Sequence, residues 1–274
     1  MTFRIPARWW AFARSFWKDA SNATLAWIFL VAITLAELLT TYTQPAIGSL
    51  AHAFILLTLL YVIVQRGDRI SPLLLGLILG PLIRVLSLSL PLTNIPLVWW
   101  YFITSVPLFA AIVVAIRLSE FSWRDVGLGL PWRTLPVQVL VALSGLLLGY
   151  LEYVILTPRP LISDLNWQAF WLPALILLVS TGFLEELIFR GFLQRGAIQV
   201  FGMRLGLIYV SFLFAALHIG YRSFLDVIFV FLVGWYFAWI VARTRTIWGV
   251  TLAHGLTNIV LFLIMPFLSS GWPF

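Results

Sequence analysis

The stretch LEELIFRGFLQRG, Leu184 to Gly196, brings two adjacent carboxylates, Glu185 and Glu186, into a segment otherwise fit for lipid. Ionisable groups at bilayer depth are expensive and by default mark a functional site. Arg190 follows Glu186 at i+4 with the acid N-terminal, the better order for an ion pair on one helix face. Glu185 is turned about 100° from Glu186, so arginine can hold one carboxylate while the other faces a cavity. Further along, His218 closes FAALH one turn after Phe214, and HGLTN sets His254 and Asn258 four residues apart. The set supplies the parts for water-mediated hydrolysis. A carboxylate can take a proton from water, a histidine can orient that water or bind a metal, and His and Asn donors can stabilise an oxyanion. Each part also has a plainer reading. A buried Glu–Arg pair is commonly structural, and an isolated membrane histidine commonly bonds a neighbouring helix.

Other intramembrane chemistries find less support. The absence of cysteine removes thiolate nucleophiles, thiolate metal sites and disulfides. None of the three histidines begins an HExxH zinc motif. The one Gly-Asp pair, in QRGDR, falls in a connection, and Ser180 and Ser211 lie outside any Gly-flanked nucleophile motif.

The elements that must position these residues are membrane spans. The chain has 274 residues, 62% hydrophobic and 10% charged, against about 25% charged in a soluble domain. The fold class expected is all-α, a polytopic transmembrane helix bundle of eight or nine spans with an N-terminal interfacial amphipathic helix. At about 20 apolar residues per span, candidates fall near 23–42, 49–65, 72–90, 95–116, 134–156, 168–189, 204–220, 223–242 and 246–268. Residues 1–22 mix Arg4, Arg8, Arg14 and Lys18 with Trp9, Trp10, Phe12, Phe16 and Trp17, which reads as a retained basic, aromatic interfacial segment. Residues 23–165 then supply spans without a chemical motif, and 166–274 form the motif-bearing bundle.

With the N-terminus inside, every Lys and Arg except Arg84, Arg159 and Arg222 falls on or beside an inner connection. That is the positive-inside signature. It assigns the +7 net charge to topology and leaves no nucleic-acid footprint. It also implies a cytoplasmic N-terminus and fits a bacterial inner membrane.

The remaining charges within spans have structural readings. Glu37 and Arg84 can pair inside the bundle, and His52 reads as packed or interfacial. Glu152 and Asp226 fall near outer ends, within reach of headgroups or water.

EELIFR, FAALH and HGLTN, in that order on successive late spans, match EExxxR, FxxxH and HxxxN. They resemble the CPBP family of intramembrane proteases, also called the CAAX protease and bacteriocin-processing or Abi family. The likeness covers roughly residues 170–262, with similar flanks in FRGFLQRG and ARTRTIWGVTLAH. It implies a peptidase acting on a membrane-anchored protein or peptide. Carried over by position, Glu185 is the base that activates water, with His218 helping to hold it. His254 and Asn258 form the oxyanion pair, and Glu186 and Arg190 support the site. Zn²⁺ held by Glu185, His218 and His254 suits the resemblance, and so does a metal-free glutamate mechanism. A proton- or ion-coupled transporter and a non-catalytic scaffold or immunity protein are the alternatives.

The expected endopeptidase opens towards the cytosol. On the nine-span count, however, Glu185 and His254 come out near the inner surface and His218 near the outer. They meet if the sixth helix runs on past Arg190 and the next starts below the surface.

Overall fold

The computed structural model describes residues 16–67, 71–90 and 94–269, and all of its regular structure is helical. Most of the N-terminal interfacial segment, residues 1–15, lies outside the described residues, as does the C-terminal stretch 270–274. Of that segment, Phe16 to Asp19 form a helical turn.

Among the described residues the helices are α1 (Asn22–Tyr42), α2 (Pro45–Arg66), α3 (Pro72–Ser89), α4 (Leu97–Leu118), α5 (Leu135–Leu156), α6 (167–201), α7 (203–216), α8 (Phe224–Thr244) and α9 (Trp248–Ser269). Local chemistry sets their starts. The Ser21 hydroxyl accepts from Thr24 N–H at 3.0 Å, and Asn166 Oδ1 accepts from Ala169 N–H at 3.0 Å. Pro45 and Pro72 occupy first-turn positions, where no N–H is needed. The outward faces are apolar: Leu50, Phe54 and Val64 of α2 are each more than 70% exposed, as lipid-facing side chains must be.

Eight of these stretches are long and apolar enough to cross a membrane. The expected spans 168–189 and 204–220 correspond to α6 and α7, which are separated at Gly202, where φ of 75° and ψ of 172° leave the helical region and suit only glycine readily; α6 runs on to 201 rather than ending near 189. At about 1.5 Å per residue, the 16 residues from Glu185 to Phe201 cover roughly 24 Å of helix. The sixth helix therefore does run well past Arg190, and Glu185 lies deep. α7 is too short to span on its own and ends in a tight turn at His218 to Arg222, tied by Arg222 Nη2 to the Thr41 carbonyl at 2.7 Å.

The basic connections cluster at one end. Arg195 pairs with Asp125 at 2.8 Å, Ile247 N–H donates to the Gly127 carbonyl at 3.0 Å, and Trp248 Nε1 donates to Leu128 O at 3.2 Å. These bonds dock the hydrophilic segment 119–131 onto α6 and the start of α9.

α9 is the central helix and makes its most extensive contact with α5. A Cβ at Gly145 would lie 2.2 Å from the Ala253 carbonyl oxygen, and one at Gly149 would lie 2.6 Å from that of Thr257. This glycine pair, four apart, lets two backbones meet as small residues do between membrane helices. On its other side α9 packs against α6, and that contact brings the third motif to the first.

Candidate active site

α6 is not a uniform α-helix. It widens to i→i+5 turns over Leu177–Phe183 and again over Leu187–Leu193, with Leu184–Glu186 between them. α9 does the same over Val260–Ile264, just beyond Asn258. Such π turns insert a residue into the helical repeat, re-aim the side chains around them and concentrate at functional sites.

The two carboxylates face different partners. Glu186 is fully buried, and its Oε1 accepts from Arg190 Nη1 at 2.9 Å and from His254 Nδ1 at 2.8 Å. Arg190 is buried as well; its guanidinium lies 4.2 Å from the centre of the Phe214 ring, and Nη2 reaches the Gly234 carbonyl at 3.4 Å. The Glu185 side chain is 29% exposed, to an internal chamber, and its Oε2 lies 4.0 Å from His254 Nε2.

His218 Nδ1 lies 2.8 Å from the Phe214 carbonyl. A carbonyl only accepts, so Nδ1 carries the proton and neutral Nε2 keeps a lone pair. Asn258 Nδ2 donates to Thr181 Oγ1 at 2.8 Å, and that hydroxyl donates back to the Leu177 carbonyl. Glu185, His218, His254 and Asn258 line one chamber, walled by Phe214, Phe229, Phe237 and Phe262. Glu186 and Arg190 stand behind it. Among the described residues no group of three His, Asp or Glu side chains is arranged to hold a metal ion.

Several residues enter the site that sequence reasoning placed elsewhere or passed over. Glu152, expected near headgroups, lines the chamber and is 7% exposed; Asp226 is fully buried behind it. Their apolar flanks give no sign of which way the side chains turn. Tyr101, Thr181 and Tyr221 also line the chamber. Glu37 and Arg84 pair as expected, at 2.5 Å, and His52 is buried 3.3 Å from the same carboxylate. A second cavity of about 390 Å³ shares Glu185 and His218 and continues past Arg84, Ser87 and Tyr101. It extends toward the arginine-poor end of the bundle, whereas the sequence reading set the opening at the basic end.

Residues 167–260 match the family model described as type II CAAX prenyl endopeptidase Rce1-like. No curated protein and no solved structure was found to match the chain.

Proposed function

We propose, from the match of residues 167–260 to the type II CAAX prenyl endopeptidase Rce1-like model, that the chain is a CPBP/CAAX-type endopeptidase that hydrolyses a peptide bond of a membrane-anchored protein or lipidated peptide. The observation that carries this reading is the convergence of Glu185, His218, His254 and Asn258 on one chamber inside the bundle.

Glu185 takes a proton from water as the water oxygen attacks the scissile carbonyl carbon. His218 Nε2, held as an acceptor by the bond from Nδ1 to Phe214, accepts a hydrogen bond from the other water O–H, which stays on the oxygen, and fixes the nucleophile. The carbonyl π electrons move onto oxygen, and donors from Nε2 of His254, its ring carrying a proton on both nitrogens, and from Asn258 Nδ2 stabilise that oxyanion in a water-poor site. Glu186, itself pinned by Arg190, accepts from His254 Nδ1 and aims the ring. When the tetrahedral intermediate collapses, the C–N bond breaks and Glu185 returns its proton to the leaving nitrogen. No step is routed through a metal.

In this reading the arginine-rich end faces the cytoplasm of a bacterial cell, with the N-terminus on that side. The test is cleavage of a reporter membrane-peptide library in liposomes by wild type, Glu185→Ala and His254→Ala, each with and without chelator. Product from wild type alone, undiminished by chelator, is expected. Equal product from all three proteins would discard the assignment of these residues, and loss of product with chelator would discard the metal-free route.

A further inference from the structure

A cavity of about 980 Å³ lies outside the catalytic chamber, at the basic end, between α6, the end of α8 and the docked segment 119–131. Its polar lining is Arg124, Asp125, Arg190, Gln194, Arg195, Gln199 and Arg245, four arginines against one carboxylate. That carboxylate is already engaged, because Arg195 Nη2 pairs with Asp125 Oδ1 at 2.8 Å.

Two of the arginines show unmet hydrogen-bonding capacity. Among the described residues Arg190 Nε and Arg195 Nε are buried without a partner, and so is Gln194 Oε1. Arg190 and Gln194 are each only 2% exposed. Those atoms are closed off from the cavity, so its pull on a ligand comes from the net positive charge of its lining, four arginines with the one carboxylate already paired, which favours an anion with several acceptor oxygens. Phosphate offers them in the geometry that guanidinium groups bind best. The cavity also carries apolar wall from Ile198, Met203 and Val241, and basic pockets between membrane helices at this level hold anionic lipid headgroups.

We infer that this cavity binds the phosphate of an anionic glycerophospholipid, with the exposed Arg124 and Arg245 and the half-buried Arg195 around it. The site stands independently of the catalytic reading, although the two touch through Arg190. Its Nη1 holds Glu186, and its side chain also lines the cavity.

The test uses the full chain purified in neutral detergent and titrated with phosphatidylglycerol, phosphatidylcholine of the same acyl chains, or glycerol phosphate. Bound ligand is read by native mass spectrometry and by thermal unfolding. Wild type is expected to retain phosphatidylglycerol over phosphatidylcholine. Arg124→Gln/Arg245→Gln should weaken that binding roughly 10- to 30-fold. Arg124→Lys/Arg245→Lys, which keeps the charge, should restore most of it. Arg133→Gln/Arg243→Gln, with the same charge loss at the same end but outside the cavity, should leave it unchanged. Equal retention by all variants, or no preference of wild type for the anionic lipid, would overturn the site. Equally tight binding of glycerol phosphate would keep the phosphate site and overturn the lipid as its source.

Discussion

Glu186 and His254 lie 68 positions apart in sequence, yet Oε1 of one is 2.8 Å from Nδ1 of the other. That bond joins the EELIFR and HGLTN motifs across the α6–α9 contact. It also separates the duties of the two glutamates, because Glu186 is enclosed and bonded twice while Glu185 faces the chamber.

The proposed roles therefore predict different kinetic losses from chemically similar changes. Glu185→Gln removes the base and should lower kcat by 10²–10⁴-fold, the usual range for general acid–base catalysis. Glu186→Gln keeps the volume but weakens the hold on His254, and should lower kcat by about a hundredfold with KM little changed. Asn258→Ala removes one oxyanion donor and should cost about 10²–10³-fold. Single-turnover cleavage with each variant separates these cases. Equal activity of Glu185→Gln and wild type would remove Glu185 from the reaction.

Arg190 is predicted to matter for folding as much as for turnover. Glu186 and Arg190 form a fully buried pair, and removing one partner leaves an uncompensated charge, at a cost of about 3–5 kcal/mol. Arg190→Met should therefore lower stability in detergent more than Glu186→Gln/Arg190→Met does, since the double change removes both charges. Denaturant unfolding of the two variants measures the difference. If the single variant is as stable as the double, the pair contributes no net charge balance.

The candidate site was legible in sequence as a set, and less so as an arrangement. Residue types and i, i+4 spacings named Glu185, Glu186, Arg190, His218, His254 and Asn258 because each spacing has one helical consequence. Depth was harder to read. Hydropathy windows assume uniform spans, and the sequence separates the two helices without showing that α6 runs on past Arg190 to a break at Gly202. The π turns around Glu185 have no compositional signal, since apolar residues serve i→i+4 and i→i+5 bonding alike. The inward turn of Glu152 was missed for a related reason. A carboxylate near a span end reads as headgroup-facing until the neighbouring helices are known, and here α9 lies against that face of α5.

The docked segment 119–131 should loosen in acid. Asp125 Oδ2 accepts from Ser122 N–H at 2.9 Å and from its hydroxyl at 2.7 Å. These bonds, with a smaller contribution from Arg195, hold the carboxyl below its ordinary value. A folded-state value below the unfolded one gives stability that is present above the unfolded value and is lost as pH falls through the folded one. Hydrogen exchange of residues 119–131 should therefore speed up below about pH 4 in wild type. Asp125→Asn should exchange faster at neutral pH and change little on acidification. The same acid response in both proteins would show that another group controls the segment.

The α5–α9 contact should be the least tolerant surface in the bundle. A Cβ at Gly145 meets the Ala253 backbone at 2.2 Å, and backbone cannot rotate aside as a flexible side chain can. Gly145→Val must therefore push α9 outward. Overpacking of this kind costs about 1–3 kcal/mol and more where nothing can yield. The displacement acts on the site as well, because Ala253 immediately precedes His254, whose ring is fixed by Glu186 on the opposite helix. Gly145→Val should thus lose activity out of proportion to its loss of stability, whereas Gly129→Val, where the nearest neighbour is a side-chain atom at 3.7 Å, should lose little of either. Melting temperature and kcat measured on the same preparations decide the matter, and parallel losses in the two would confine the role of Gly145 to packing.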